Sequence, residues 1–350
     1  MGSYQIQEHT ESALGLLKRL ISTPSVSREE SDAANIIEEY LRENGCTPHR
    51  HGNNVWAMSD GYDSSVPGIL LNAHIDTVKP VSGWLHDPFT PTLEGNRIYG
   101  LGSNDCGGGL VALIATFLML RKTRTDLVFL ASCEEEVSGK GGIESVIPLL
   151  PPIGFAIVGE PTSMQPAIAE KGLMVVDAIA HGKSGHAARN EGVNAIYLAL
   201  DDINKIRKFK FPKESDLLGP VKTTVTIISA GTQHNVIPDE CRFTIDVRSN
   251  ECYSNEEIFN ILTSMLGSEL KARSFRLNSS SISPEHPFIK KCAAIGLKPF
   301  GSPTLSDQAL MPFPSVKLGP GESSRSHTAD EYIKTSEISS AIDTYINLLM

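Results

Sequence analysis

Four short apolar runs, each followed within a few residues by a carboxylate or an imidazole, constrain this chain more than any other feature of its sequence. Gly68–Ala73 leads into His74 and Asp76, and Asp126–Ala131 into Glu134, Glu135 and Glu136. Phe155–Val158 leads into Glu160, and Ser315–Leu318 into a loop that carries His327. Runs this short and this apolar suit strands of a sheet covered on both faces. Asp105 stands in the turn Gly-Ser-Asn-Asp-Cys-Gly-Gly, and Leu110, Val111, Leu113, Ile114, Phe117 and Leu118 follow it at helical spacing. Residues 8–22 and 28–44 read as amphipathic helices. Strands alternating with helices predict an α/β layer architecture with a central, mostly parallel sheet. In such sheets ligands bind beyond the carboxyl ends of the strands. All these polar side chains can therefore converge on one crevice.

Singly, each signal has a plain structural reading. A His-x-Asp pair is usually a surface arrangement, an aspartate before a helix is usually an N-cap, and a glutamate run is usually a solvated face. Glu160 before Pro161 can simply end a strand, and His327 can be a satisfied loop histidine. Their recurrence after successive strands is what raises the set above chance. Two imidazoles and three carboxylates are a donor mixture suited to zinc. One carboxylate that bridges would hold two metals about 3.5–4 Å apart. Asp76, two residues beyond His74, can accept that ring's other N–H and fix its tautomer. A further carboxylate that binds no metal is needed as general base.

From about Lys171 the pattern changes. Leu173–Ala180 reads as a strand, Val193–Ile206 as a helix, Thr223–Ser229 and Cys241–Val247 as strands, Glu256–Leu266 as a helix and Leu270–Arg276 as a last strand. That β-α-β-β-α-β order is the ferredoxin-like arrangement. The expected domains are therefore 1–170 with 280–350, and an inserted α+β domain over 171–279. A chain of 350 residues is long enough for both.

The bulk numbers exclude some partners. A net charge of −10 disfavours nucleic acid and anionic membrane, either of which needs a basic face. The longest apolar stretch, Gly107–Leu120, is read as too short to span a membrane, and the N-terminus lacks a signal-peptide pattern. Six scattered cysteines with no C-x-x-C pair predict reduced thiols and a cytoplasmic protein. No G-x-G-x-x-G or P-loop pattern calls for an organic cofactor.

Seven segments together resemble the two-zinc peptidase family of acetylornithine deacetylase, succinyl-diaminopimelate desuccinylase, aminoacylase and their carboxypeptidase relatives. They are Leu-Asn-Ala-His-Ile-Asp-Thr-Val (71–78), Tyr-Gly-Leu-Gly-Ser-Asn-Asp (99–105), Glu-Glu-Glu-Val-Ser-Gly-Lys-Gly-Gly (134–142) and Val-Gly-Glu-Pro-Thr (158–162). Gly-Lys-Ser-Gly-His-Ala-Ala (182–188), Asn-Val-Ile-Pro-Asp (235–239) and Ser-His-Thr-Ala-Asp-Glu-Tyr (326–332) complete the set. The resemblance implies a zinc-peptidase-like catalytic domain with two Zn2+ (or Co2+) ions. His74 and Glu160 would hold one metal, Glu136 and His327 the other, with Asp105 bridging and Glu135 as general base. The inserted domain would act as lid and as the contact of a homodimer, across which His186 would reach a partner's site. Arg248 is a candidate clamp for a substrate α-carboxylate, or else a surface salt bridge. Asn235 is a candidate hydrogen-bond donor to substrate, or else a turn residue, and Gly319–Gly321 either lines the site or only turns the chain. Many members carry lysine two residues after the bridging aspartate; here the stretch is Cys106-Gly107-Gly108. This variant resembles a subgroup of acetylornithine deacetylases, so the implied substrate is an N-acyl amino acid, N-acetylornithine or N-succinylornithine, in arginine biosynthesis. A dipeptidase, carboxypeptidase or desuccinylase of the same family and a non-catalytic binding homologue are the competing readings.

Overall fold

The computed structural model describes residues 3–189 and 191–350, and the chain divides into two compact units. The first comprises 1–168, 282–300 and 306–350; the second comprises 169–281 and 301–305.

The first unit is built on a twisted sheet whose centre is parallel. Gly68–His74 pairs in parallel with Leu127–Ser132 on one side and Ile153–Val158 on the other, and Ser315–Lys317 continues in parallel beside Ile153–Val158. Antiparallel strands flank this centre, Asn54–Met58 against Leu127–Ser132 and Ala167 against Lys317. The four apolar runs are thus neighbouring strands, and their side chains are almost all buried. Helix Gly108–Leu120 is buried at all 13 positions. An apolar surface all round places a helix inside the core, and here it packs against helices Ser3–Ile21 and Thr335–Leu349 and on the sheet. The stretch Ser103–Leu120 does reach membrane-spanning length, which corrects the expectation above, but 89% of it is buried within the fold. Gly109 is what lets this helix come so close to the sheet. A Cβ there would lie 1.6 Å from the carbonyl oxygen of Gly159, so a side chain would push the helix off the loop that carries Glu160.

A small three-stranded sheet, Thr92–Glu94, Arg97–Tyr99 and Tyr332–Lys334, was not anticipated from the sequence. Its strands are three residues each, too short to show a period.

The second unit has the order strand Met174–His181, helix Ala195–Lys208, strands Lys222–Ala230 and Glu240–Arg248, helix Asn255–Met265 and strand Glu269–Ala272. Its sheet is antiparallel, with Met174–His181 and Glu240–Arg248 at the centre and Lys222–Ala230 on an edge. Strict alternation along Met174–His181 and Glu240–Arg248 buries Val176, Ala178, Phe243 and Ile245 under the two helices. Asp202 locks the end of this unit by accepting the amides of Gly267 and Ser268.

Candidate metal centre

The strand ends of the first unit bring five potential ligands together. His74, the last residue of its strand, is 2% exposed. Its Nε2 lies 3.3 Å from Asp105 Oδ1 and 3.5 Å from Glu160 Oε1. His327 Nε2 lies 3.0 Å from Glu136 Oε1 and 3.6 Å from Asp105 Oδ2. Asp105 therefore turns one carboxylate oxygen to each imidazole.

Burial and the charge of Asp105 push Glu160 up to about 8, and the hydrogen bond to Glu136 raises His327 to about 9. Burial disfavours charge on Asp105, but hydrogen bonding and attraction from the two imidazoles hold its carboxyl below the usual range. Glu160 Oε1 is buried without a hydrogen-bond partner. An orphaned carboxylate oxygen facing an imidazole and a second carboxylate is what a bound cation would satisfy. The donor set therefore fits a pair of metal ions.

The three consecutive glutamates separate by environment. Glu134 adopts the left-handed region (φ 55°), and its carboxylate folds back onto the glycine loop, accepting the amide of Gly141. Glu136 meets His327. Glu135 is raised well above an ordinary carboxyl, first by burial and then by Glu160, Asp307 and Glu136, with His74 opposing. A carboxyl with that affinity for a proton is suited to general-base work near neutral pH.

Buried carboxylates shape the two ligand turns. Asp76 accepts the amides of Glu135 (Oδ1, 3.0 Å) and Glu136 (Oδ2, 3.1 Å) and the hydroxyl of Ser27 (2.7 Å). Glu30 accepts the amide of Glu134 (3.2 Å). The sequence reading gave Asp76 the task of orienting His74. The structure puts the backbone carbonyl of Asp76 on His74 Nδ1 at 2.8 Å, with the carboxylate 3.5 Å away. The carboxylate is already engaged by the glutamate turn. Glu331 does for Asp105 what Asp76 does for the glutamates, taking the amides of Gly102, Asn104 and Asp105 at 2.8–3.1 Å. The Asp105–Cys106 peptide is cis.

Glu30, Asp307 and Glu331 went unassigned in the sequence. Asp307 accepts Asn72 Nδ2 and Ser132 Oγ from two adjacent parallel strands. Gly319 packs on the Glu160 loop, where a Cβ would lie 2.5 Å from the Glu160 carbonyl.

The other candidates lie on the second unit. His186 is exposed and sits in a short ladder with Val236, beyond the strand that ends at His181. Asn235 is its neighbour there, its carbonyl accepting the amide of Ala187. Arg248 forms a two-pronged pair with Asp246, Nε to Oδ1 2.9 Å and Nη2 to Oδ2 3.1 Å.

The profile of Peptidase family M20/M25/M40 matches residues 70–350. The chain is 30% identical over 358 residues to acetylornithine deacetylase of Klebsiella pneumoniae (strain 342), covering 91% of this chain and 92% of that protein. It is 27% identical over 284 residues to succinyl-diaminopimelate desuccinylase of a Wolbachia pipientis strain from Culex pipiens, covering 76% and 71%. In fold it is similar to aminopeptidase PepT of Bacillus cereus (TM-score 0.77, 17% identity, 97% of both chains). It is also similar to the Bacillus subtilis YXEP protein, described as a dinuclear metal-binding peptidase (TM-score 0.72, 17% identity, 98% of both chains).

Proposed function

This chain belongs to peptidase family M20/M25/M40 and is a hydrolase, and on that premise we propose that it cleaves the amide bond of an N-acyl amino acid, N-acetylornithine or N-succinylornithine. The reading rests chiefly on one observation: Asp105 presents Oδ1 to His74 and Oδ2 to His327, with the half-buried Glu135 in the same acidic cluster. His74 and Glu160 would hold one metal and Glu136 and His327 the other, with Asp105 offering an oxygen toward each. Zinc or cobalt suits this nitrogen and oxygen donor set.

When bound, the metals supply Lewis acidity toward water and the scissile carbonyl. Glu135 accepts the proton of the attacking water at its carboxylate and returns it to the departing amine nitrogen. Asp76 keeps Glu135 and Glu136 in place through their amides. His186 donates a hydrogen bond to the developing oxyanion of a partner subunit's substrate. Arg248 and Asn235 hold the substrate, Arg248 exchanging Asp246 for the α-carboxylate.

The near end-to-end match to a protein named acetylornithine deacetylase supports the acyl substrate, and ornithine as product would place the reaction in arginine biosynthesis. A homodimer is supported by the second unit. Lys222–Ala230 is a nine-residue edge strand with Ile227 and Ile228 exposed, and Tyr197 and Leu200 are exposed on helix Ala195–Lys208. Long apolar edges of this kind call for a cover. Six free cysteines fit a cytoplasmic setting.

The test is a kcat/KM panel on protein carrying two metals per chain. N-Acetyl- or N-succinylornithine should be the preferred substrate. Hydrolysis of dipeptides with neither acylornithine cleaved would overturn the assignment in favour of a peptidase.

A further inference from the structure

Asn104 stands immediately before Asp105, and its side chain has no part in the reading above. It is fully buried. Its amide group does not serve its own turn but spans to the segment that precedes His327. Oδ1 accepts the amide of Glu322 at 3.1 Å, and Nδ2 donates to the Glu322 carbonyl at 3.1 Å and to Ser326 Oγ at 3.3 Å. The fit is close, because a Cβ at Gly321 would lie 2.2 Å from Asn104 Oδ1. The ordinary reading is a buried asparagine that satisfies the polar groups of two loops. Two observations ask for more. The His327 side chain is 51% exposed and residues 322–324 before it are exposed, so burial does little to hold the imidazole. The two joined residues are also the direct neighbours of Asp105 and His327, whose 3.6 Å approach shapes one half of the centre. Glu331 joins the same two loops beyond His327 through main-chain amides; Asn104 joins them ahead of it.

We propose that Asn104 is a positioning residue for the metal of Glu136 and His327. Its amide group fixes the segment ahead of His327 against the Asp105 turn, and so sets how far the imidazole stands from Asp105 Oδ2. The inference rests on the two-metal reading above and leaves its ligands unchanged. The three bonds of this amide group go to Glu322 and Ser326, and none goes to His74 or Glu160. Its loss should therefore fall on one metal of the pair. Groups that orient metal ligands without touching the metal contribute about 10- to 100-fold to metal affinity.

Zinc titration with elemental analysis tests this without an activity measurement. At the zinc concentration that just fills both sites of the wild-type protein, Asn104→Ala should hold one zinc. More zinc should restore the second, with affinity weakened by about 10- to 100-fold. A merely structural asparagine would lower the melting temperature without favouring either metal. The double variant Asn104→Ala/Glu136→Gln should still hold one zinc, since both changes strike the same half. Wild-type affinity for both zincs in Asn104→Ala, or equal weakening of the two, would overturn the proposal. A double variant that holds no zinc would overturn it as well, because Asn104 would then act on the other half. Where Asn104→Ala does not fold, Ser326→Ala decides: it removes one of the three bonds at a half-buried position and should weaken the same zinc by less, and unchanged affinity would overturn the proposal. Wild-type protein that fails to bind two metals would bring down the two-metal reading itself, and this proposal with it.

Discussion

Asp76→Ala separates two jobs that one carboxylate can do beside a metal-binding histidine. Asp76 is 1% exposed. Burial disfavours its charge, but the nearby His74 ring, the Ser27 hydroxyl and the Glu135 amide outweigh it and hold the carboxyl below its ordinary range. The side chain is therefore ionised, and its bonds to the amides of Glu135 and Glu136 are charge-assisted. Hydrogen bonds to charged groups contribute about 1.5–3 kcal/mol each, so losing both weakens the glutamate turn by about 3–6 kcal/mol before water enters. A base misplaced by about 1 Å costs about 100-fold in rate. Asp76→Ala should therefore lower kcat by at least about that factor at saturating metal. Amide exchange in residues 133–142, followed by mass spectrometry, should accelerate in the variant. Asp76→Asn should fall between, because one oxygen remains as acceptor while its Nδ2 confronts an amide donor. Unchanged exchange over 133–142 with a loss confined to metal affinity would refute this reasoning and return Asp76 to orienting His74.

Glu135→Gln should keep two metals per chain and lose about 100- to 10,000-fold in kcat, whereas Glu136→Gln should weaken one metal; elemental analysis beside kinetics checks the pair, and the opposite pattern would shift the register by one residue. Arg248→Ala should cut kcat/KM far more on free-acid substrates than on their carboxamides, and equal losses would leave the pair with Asp246 as its whole role. In the metal-free protein Glu160, raised from 4.5 to about 8, and His327, raised from 6.5 to about 9, hold protons that the unfolded chain releases. Stability should therefore fall as pH rises from about 5 to 9, so the melting-temperature gap between metal-loaded and metal-free protein should widen over that range; a constant gap would contradict it. His186→Ala and Glu135→Ala homodimers should both be nearly inactive, and purified heterodimers of the two should regain activity because one of their sites pairs an intact Glu135 with an intact borrowed His186; heterodimers as inactive as their parents would place His186 at its own chain's site.

The proposed ligands were legible because their positions are local. His74, Glu136 and Glu160 stand at or within a few residues of the end of a buried parallel strand, and such a strand announces itself as an apolar run without help from the rest of the chain. His74 is the terminal residue of such a strand, and Glu160 stands two residues beyond another. The parallel sense of the central strands was legible for the same reason, but not their order, in which Leu127–Ser132 and Ile153–Val158 lie on opposite sides of Gly68–His74.

What could not be read is what holds the ligands still. Glu331 reaches the amide of Asn104 across 227 positions, and Asp76 reaches that of Glu135 across 59. In the sequence Glu331 is one more acid in Ser-His-Thr-Ala-Asp-Glu-Tyr, and nothing in its spacing marks it as an acceptor for another loop. A donor's chemistry is a property of its residue type, so a pattern can expose it. An acceptor's task depends on which amides the fold leaves unpaired, and those exist only once both loops are in place. The same logic accounts for His327, whose φ of 59° lies in the region that side chains rarely adopt. Such a conformation costs about 1–2 kcal/mol, and it persists where surrounding bonds over-determine it. Here Glu136 fixes the imidazole, and the carbonyl of the neighbouring Arg325 takes the Thr328 hydroxyl. The strain sits at a proposed ligand, where an imidazole must be aimed; the Thr328 bond is local, but Glu136, which fixes the ring, lies 191 positions away.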